Sequence, residues 1–346
     1  MPLNLIIIGT GNIASYWLQY FAEKLPTTIR VHALVNSKGL HLVSTERPVY
    51  KQIPHSLHQE ADTQSLVSKA LASLPGPKAV VDLTASKIIS RAYTDWVKQG
   101  AHLISANKYA GSAAPDFYQK LRDTLGECKG HWLYNTTVGA GLPIQKAIAE
   151  RRSCHDEIVQ LEGNFSGSLS WIFQQYRAGD RFSEWLLKAA EMGMTEPDPR
   201  VDLSGLDVAR KLLILARDAG WPLQLADIEL ENLVPEELRA VSLEQFWQHL
   251  PLLDDFIEQR QGGGWQYHYL GRVSRACDGR IRAVAGLYPI ATNSPYAHLV
   301  PGNANFVIHS LQYGSSPLII QGPGAGREVT AAGVHSDILE LSSRLS

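Results

Sequence analysis

Cysteine is scarce in this chain: Cys128, Cys154 and Cys277 are odd in number, far apart and form no CxxC pair. That count argues against a disulfide framework or a structural zinc site. Long apolar runs are missing as well. Leu3–Ile8 is too short for a signal-peptide core and has no basic region before it. No stretch approaches the ~20 apolar residues that span a bilayer. The chain is expected to stay in the cytoplasm with reduced thiols. There is no excess of positive charge either. Lys and Arg number 32 against 34 Asp and Glu, for a net charge of −2 and a pI of about 6.6. No cationic field is therefore available to draw in nucleic acid or anionic lipid. The Trp and Tyr residues lack the basic interleaving that stacking on nucleic acid needs. Leu243–Gln259 is amphipathic but too poor in Lys and Arg for a membrane surface, and is expected to face the core. The sequence has no internal repeat and no low-complexity tract.

What the chain does have is a change of rhythm. Its 346 residues suggest two domains at roughly 150 residues each. In the first third, Leu3–Ile8, Val31–Val35, Ala79–Leu83, Ala101–Ser105 and Trp132–Asn135 read as strands. Helical spacing separates them, as in Tyr16, Trp17, Tyr20 and Phe21 or Phe117, Leu121 and Leu125. Alternation of this kind predicts an α/β, Rossmann-type doubly wound parallel sheet. After Gly141 the pattern shifts to α+β with a mixed sheet. A strand at 158–165 precedes a helix-rich stretch from Ser168 to Gln259, broken by Gly179-Asp180, the Pro-rich 197–199 and Gly220. The Gly262-Gly263-Gly264 turn then introduces strands at 266–274 and 281–288 with Asp278-Gly279 as their hairpin turn. Strands at 305–311 and 316–321 lead to Gly322-Pro323-Gly324-Ala325-Gly326 and a closing helix. The expected division is a dinucleotide-binding domain over 1–140, completed by 322–346, and a substrate and dimerisation domain over 141–321.

Gly9-Thr10-Gly11-Asn12-Ile13-Ala14 follows the first strand directly and opens a helix. Gly9 permits the tight turn, Gly11 lets the backbone approach a pyrophosphate, and Ala14 lets helix and strand pack closely. The pyrophosphate belongs on the helix N-terminus, where N–H groups and the dipole favour an anion. The second strand ends in Val35-Asn36-Ser37-Lys38 without the acid an NAD-selective site usually places there. Asn36, Ser37 and Lys38 can instead bind a 2′-phosphate, so NADP is permitted beside NAD and slightly preferred. The competing reading is a solvated turn with an incidental lysine.

The segment from Gly193 to Lys211 runs from a Pro-stiffened loop into a helix. Asp207 and Lys211 are spaced i, i+4 and share one helix face. Glu196 and Asp202 can fold over it, setting cations among carboxylates as a zwitterionic amino acid requires. The bland alternative is that Ser204-x-x-Asp207 is a capping box and Asp207–Lys211 an ordinary surface pair worth ~0.3–0.5 kcal/mol. His155-Asp156-Glu157 and His55-x-x-His58 lack supporting context and read as solvated surface.

Joined together, Thr195-Glu196-Pro197-Asp198-Pro199 and Asp202-Leu203-Ser204-Gly205-x-Asp207-Val208-Ala209-Arg210-Lys211 are more specific than any capping rule. Here the chain resembles the homoserine dehydrogenase family, most closely the dehydrogenase half of its bifunctional aspartokinase-fused members. The resemblance spans nearly the whole chain. It also covers Gly9–Ala14, Asn36-Ser37-Lys38, Asn107-Lys108, Val138-Gly139-Ala140-Gly141-Leu142-Pro143, Ser166-Gly167-Ser168-Leu169-Ser170, Gly324-Ala325-Gly326 and Thr330-Ala331-x-Gly333-Val334.

The resemblance implies reversible, NAD(P)H-dependent reduction of L-aspartate 4-semialdehyde to L-homoserine. By similarity Glu196 and Asp207 hold the substrate amino group or its surroundings, Asp202 helps position them, and Lys211 lies beside the reacting oxygen. Lys108, just past a parallel strand's C-terminal end, matches the family's second active-site lysine. The cofactor set is completed by Thr84, Ala85 and Ser86, and by Gly139, Gly324 and Gly326, the last three expected near the domain junction; their alternative reading is as helix-entry turns. Ser168 stands where many members have Thr, and its hydroxyl can make the same hydrogen bond to substrate. Met194 replaces a more usual aromatic residue. The family also binds a monovalent cation, such as sodium, through backbone carbonyls; Val138 and Ala140 match. Asn135 occupies the acidic position, which weakens that site.

A homodimer is expected from the family, with a small-molecule substrate and no nucleic-acid or membrane partner. The chain ends soon after the closing helix, so the regulatory domain of some relatives, and threonine inhibition with it, is not expected. Two rivals stand beside this reading: another two-domain NAD(P)-dependent amino-acid or sugar dehydrogenase, and a non-catalytic cofactor-binding relative. The Glu196–Lys211 segment argues against the first, and the intact Lys108, Glu196, Asp207 and Lys211 against the second. The reading also expects the ammonium groups of Lys108 and Lys211 to converge beside the reactive ring of the dinucleotide.

Overall fold

Leu3–Ile8, buried at every position, forms β1 inside a six-stranded sheet. The computed structural model describes residues 1–44, 48–53, 62–177, 179–261 and 265–346, so the Gly262–Gly264 turn and the His55/His58 pair lie outside the described residues. The chain divides into two units, Met1–Gly141 with Gly326–Ser346, and Leu142–Ala325.

In the first unit β1 is joined by β2 (Ile29–Asn36), β3 (Gly39–Leu42), β4 (Lys78–Asp82), β5 (Ala101–Ser105) and β6 (Trp132–Leu133), in the order β3-β2-β1-β4-β5-β6. All neighbours are parallel except β2 and β3. Helices α1 (Asn12–Tyr20), α2 (Thr63–Ser73), α3 (Lys87–Arg91), α4 (Tyr93–Lys98) and α5 (Pro115–Glu127) complete the alternation. Side chains of a strand alternate between faces, so β1 serves two cores. Ile6 and Ile8 pack with Tyr93, Trp96, Val97 and Leu121. Leu5 and Ile7 pack with Trp17 and Leu18 of α1 and with Val334, Ile338 and Leu341 of the closing helix Arg327–Arg344. That helix belongs to the first unit because it fills one face of its sheet.

The second unit holds β7 (Ile158–Gly163), β8 (Ile228–Leu230), β9 (Gln266–Arg275), β10 (Ile281–Ile290), β11 (Asn303–Ser310) and β12 (Leu318–Pro323), in the order β12-β11-β7-β9-β10-β8. Only β10 and β8 run parallel. Its helices are α6 (Ile144–Ser153), α7 (Gly167–Gln175), α8 (Phe182–Glu191), α9 (Arg200–Leu203), α10 (Leu206–Asp218), α11 (Glu236–Arg239), α12 (Leu243–Gln248) and α13 (Leu250–Glu258); Arg327–Arg344 is α14. A Cβ on Gly271 of β9 would stand 2.7 Å from the Phe165 ring and 3.2 Å from Val208, so this glycine lets the sheet approach α10.

Several elements differ from the sequence reading. The sequence reading has no strand at Gly39–Leu42; β3 is a short antiparallel edge strand, and Ser37-Lys38, within the expected turn, is the two-residue loop of the hairpin it makes with β2. β8 is three residues long, too short to register as a period. Leu243–Gln259 is two helices with His249 between them, and Pro251 sits in the first turn of the second, where its missing N–H costs nothing. The last segment enters the first unit at Gly326 rather than Gly322, because β12 stays paired to β11 as far as Pro323. Asp156 is buried rather than solvated: it accepts from the Ser310 hydroxyl at 2.7 Å and from Gln312 N–H at 3.0 Å.

His268 on β9 is 1% exposed, and neither ring nitrogen has a hydrogen-bond partner among the described residues. Burial, with a smaller push from Arg177, lowers its pKa from 6.5 to about 4. Between those values the unfolded chain binds a proton that the folded protein refuses, so stability falls as pH drops through this window. Replacing His268 by Leu is expected to remove up to about 3 kcal/mol of that acid loss, measured as urea midpoints at pH 7 and 4.5. An unchanged pH slope would reject the assignment.

Candidate active site

The fingerprint loop sits where β1 gives way to α1. Gly9 has φ +90°, and a Cβ there would lie 3.0 Å from Thr84 Cγ2 and 3.2 Å from the Leu83 backbone. Gly11 caps α1, and its missing side chain faces open space. Ala14 is buried against the sheet, and the half-buried Ile13 packs on the core containing Leu5 and Ile7, leaving only backbone to offer a ligand. No acidic residue occupies the first turn of α1, where Asn12 is exposed. The positive end of the helix is thus uncompensated.

Beside this loop lies a cavity of about 850 Å³, lined by Gly9, Thr10, Gly11, Asn36, Ser37, Lys38, Thr84 and Ser86 among others. Ala85, between the last two, is exposed. These residues fit a dinucleotide: an anion-attracting helix end, a glycine without a blocking Cβ, and a hairpin loop at the rim. Asn36 is engaged within the loop system, donating to Thr10 Oγ1 at 2.9 Å and accepting from Lys38 N–H at 2.8 Å. Ser37 and Lys38 are exposed. Asp62, Gln64 and Ile88 also line the cavity and were missed. Asp62 caps α2, accepting from Gln64 N–H at 3.1 Å, and the Gln64 amide donates to the Ile88 carbonyl at 2.6 Å. An acid before a helical run is a readable cap. Its place beside a nucleotide cradle is not.

Gly139 and Ala140 both have positive φ, +73° and +54°, following the buried Val138. A Cβ on Gly141 would sit 2.6 Å from the Val329 carbonyl, and one on Gly333 2.6 Å from Thr136, so both glycines let α14 dock on this turn. Asn135 is buried, and its backbone N–H donates to the Asp337 carboxylate at 3.2 Å. The acidic group in this corner therefore comes from α14, not from position 135. The divisions between units fall at Gly141–Leu142 and Ala325–Gly326, within the two glycine turns expected at the junction. Gly326 caps α14 with φ +123°, and Gly324 lies against Ala304 of β11, where a Cβ would clash.

In the second unit Asp202 ties the candidate substrate residues together. One of its carboxylate oxygens accepts from the buried Ser168 hydroxyl at 2.6 Å; the other accepts from Glu196 N–H at 2.9 Å. The loop is pinned again by Arg200, which pairs with Asp198 at 2.7 Å and donates to the Val241 carbonyl at 2.6 Å. The Arg200 guanidinium holds the Asp198 carboxyl below its usual range. On α10, Lys211 Nζ lies 2.6 Å from Asp207 Oδ2 and donates to the Phe165 carbonyl at 2.8 Å. Phe165 precedes the Ser166–Ser168 turn, so one segment supports both Ser168 and Lys211. The lysine is 15% exposed and the aspartate 46%, which makes the pair half-sunken rather than a free surface bridge.

The capping-box reading of Ser204-x-x-Asp207 is overturned. Gly205 is the N-cap of α10, in a left-handed conformation with φ +70°, and the Ser204 hydroxyl donates to the Val201 carbonyl instead. The cause is tertiary: a Cβ at 205 would fall 1.9 Å from the Tyr269 hydroxyl, which is fixed by the carbonyls of Glu231 and Ala285.

The first unit carries a glycine-rich turn and cavity that fit a dinucleotide, and the second a lysine–carboxylate cluster, the two kinds of group found in nicotinamide-dependent oxidoreductases. Comparison with known proteins narrows this. A family model described as homoserine dehydrogenase matches residues 143–339, and one described as homoserine dehydrogenase, NAD binding domain, matches 9–135. The chain belongs to the homoserine dehydrogenase family. It is 36% identical to bifunctional aspartokinase/homoserine dehydrogenase 2 of Escherichia coli over 99% of its own length, and spans 44% of that protein. It is 32% identical to homoserine dehydrogenase of Emericella nidulans, covering 99% of each. Among solved structures it is similar to a Candida auris protein of unknown function, with TM-score 0.88, 29% identity and 99% of each chain covered. A hyperthermophilic archaeal homoserine dehydrogenase, at 19% identity and TM-score 0.76 over 99% and 98% of the chains, shares the fold.

Gly205→Ala adds a Cβ in a left-handed conformation against a fixed hydroxyl. It is expected to destabilise the protein by about 2–4 kcal/mol. Adding Tyr269→Phe should return part of that loss in thermal melts; a Tm equal to wild type in the single variant would refute the packing argument.

Proposed function

We propose that the chain catalyses the reversible reduction of L-aspartate 4-semialdehyde to L-homoserine with NADPH or NADH. The observation that carries this reading is the Lys211–Asp207 pair, held by the segment that also presents Ser168 to Asp202. The dinucleotide supplies or accepts the hydride. The protein's part is to hold the amino acid and to manage charge on its oxygen. Glu196 and Asp207 are assigned to the substrate ammonium group, which carboxylates favour by charge. Asp202, with both oxygens engaged by the protein, is assigned to holding Glu196 and Ser168 in place. Lys211 is assigned to the reacting oxygen, where an ammonium stabilises developing negative charge and can donate a proton. Lys108, on the first unit after β5, is assigned to the same reaction as the second lysine.

For the cofactor, Ser37 and Lys38 on an exposed hairpin loop without an acid favour NADPH. The archaeal relative of the same fold was solved in complex with NADPH. Backbone carbonyls of Val138 and Ala140 are kept as candidate cation ligands, and no step is routed through them. Among the described residues no helix is long and apolar enough to cross a membrane. The three cysteines are exposed and unpaired, which suits a reducing cytoplasm. Association as a homodimer is part of this proposal, checked by light scattering at micromolar concentration.

The test is absorbance at 340 nm with homoserine and each oxidised cofactor. Turnover with homoserine is expected, and its absence with both cofactors would end the reading. Lys211→Ala and Lys108→Ala are each expected to lower kcat by about 100-fold or more, and near-normal turnover would remove that lysine from the mechanism. Lys38→Ala is expected to raise KM for NADPH while leaving KM for NADH; an unchanged ratio would reject its assignment to the 2′-phosphate.

A further inference from the structure

Asp82 is the last residue of β4, and its carboxylate is fully buried. Leaving such a group in the interior is costly unless its acceptor sites are filled. Here they are. Oδ2 accepts from the Tyr93 hydroxyl at 2.6 Å and from the Asn107 amide at 3.0 Å, while Oδ1 accepts from Thr84 N–H at 2.9 Å. Tyr93 is itself held by the Ser105 hydroxyl at the end of β5, which accepts from the Trp132 indole of β6 at 3.0 Å. Burial pushes the Asp82 carboxyl pKa upward against these donors. An apolar side chain would fill the space at lower cost. The arrangement calls for another reason.

Asn107 supplies one. It is 1% exposed and uses every hydrogen-bonding group of its side chain. Its two amide hydrogens reach Asp82 and the Ser86 carbonyl, at 3.0 and 2.9 Å, with Thr84 Oγ1 at 3.5 Å; its oxygen accepts from Tyr109 N–H at 3.0 Å. Because a carboxylate only accepts, Asp82 dictates which end of this amide faces it. The other end then fixes the backbone beyond Lys108. The Lys108 carbonyl in turn accepts from both the N–H and the hydroxyl of Ser112, each at 3.0 Å. Lys108 is thus clamped on both sides, and the clamp is fastened to the Thr84–Ser86 turn that lines the nucleotide cavity.

We infer that Asn107, oriented by buried Asp82, is a positioning residue that fixes the Lys108 backbone in register with the Thr84–Ser86 turn of the cofactor cradle. The inference rests on the assignment of Lys108 to the reaction proposed above. A displacement of about 1 Å at a reacting group costs on the order of 100-fold in rate, so a clamp this complete has kinetic consequences.

A double-mutant cycle tests it on the full chain, with Asn107→Ala, Lys108→Ala and the double variant assayed for homoserine oxidation. Asn107→Ala is expected to lower kcat by about 10- to 100-fold with little change in KM for homoserine. In the Lys108→Ala background the same change should cost less than about two-fold, because its partner in function is already gone. Asp82→Asn, which puts a second amide against that of Asn107, is expected to repeat the pattern and serves if Asn107→Ala does not fold. The outcomes separate. Near-normal Lys108→Ala overturns the lysine assignment and this inference with it. A deficient Lys108→Ala on which Asn107→Ala exacts its full penalty again overturns the inference alone, as does Asn107→Ala with normal kcat. If both network variants unfold, Asp82 and Asn107 serve the fold only, and the inference is likewise overturned.

Discussion

The carboxylate of Asp202 reaches in two directions, to the Ser168 hydroxyl on α7 and to the Glu196 N–H on the loop before α9. Charge-assisted hydrogen bonds of this kind are roughly twice as strong as neutral ones. They hold a proline-rich loop that has no regular structure of its own. Without them the loop would keep only its Arg200 ties, and the proposed substrate carboxylate of Glu196 would be held less firmly. The loop and the start of α7 become one support because a single acid bridges them.

The same device recurs in the first unit with Asp82. In both places an acid is turned inward, and the proposed site residues beside it are held by the donors it accepts from. Parallel strands end together at one edge of the sheet, so the loops that follow them begin close to one another but are free to differ in shape. A buried acceptor at that edge removes the freedom. It acts on backbone N–H groups and an amide whose own geometry is rigid, so little side-chain entropy opposes it.

Close approach is the other constraint. Gly141 and Gly333 bring α14 onto the turn after β6, Gly271 brings α10 toward β9, and Gly205 yields to the Tyr269 hydroxyl. A methyl group at any of these positions would push apart elements that carry proposed site residues. The glycines matter less for flexibility than for the volume they leave empty.

The fingerprint at Gly9–Ala14, the alternation in the first third and the pairing of Asp207 with Lys211 were legible in the sequence, because each rests on spacing along a single element. Strand period, helix period and an i, i+4 pair are local geometry, and local geometry survives in one dimension. The edge strand β3, the capping of α10 by Gly205, the partners through which Asp202 does its positioning and the Asp82–Asn107 clamp were not legible. Each depends on an atom brought from elsewhere in the chain: a neighbouring strand, the Tyr269 hydroxyl, the Ser168 hydroxyl, the end of β4. The sequence alone determined which candidate groups the chain carries and on which elements. Only the tertiary structure decided which carboxylates face outward and which hold the others still, because a carboxylate's role is set by the donors that surround it.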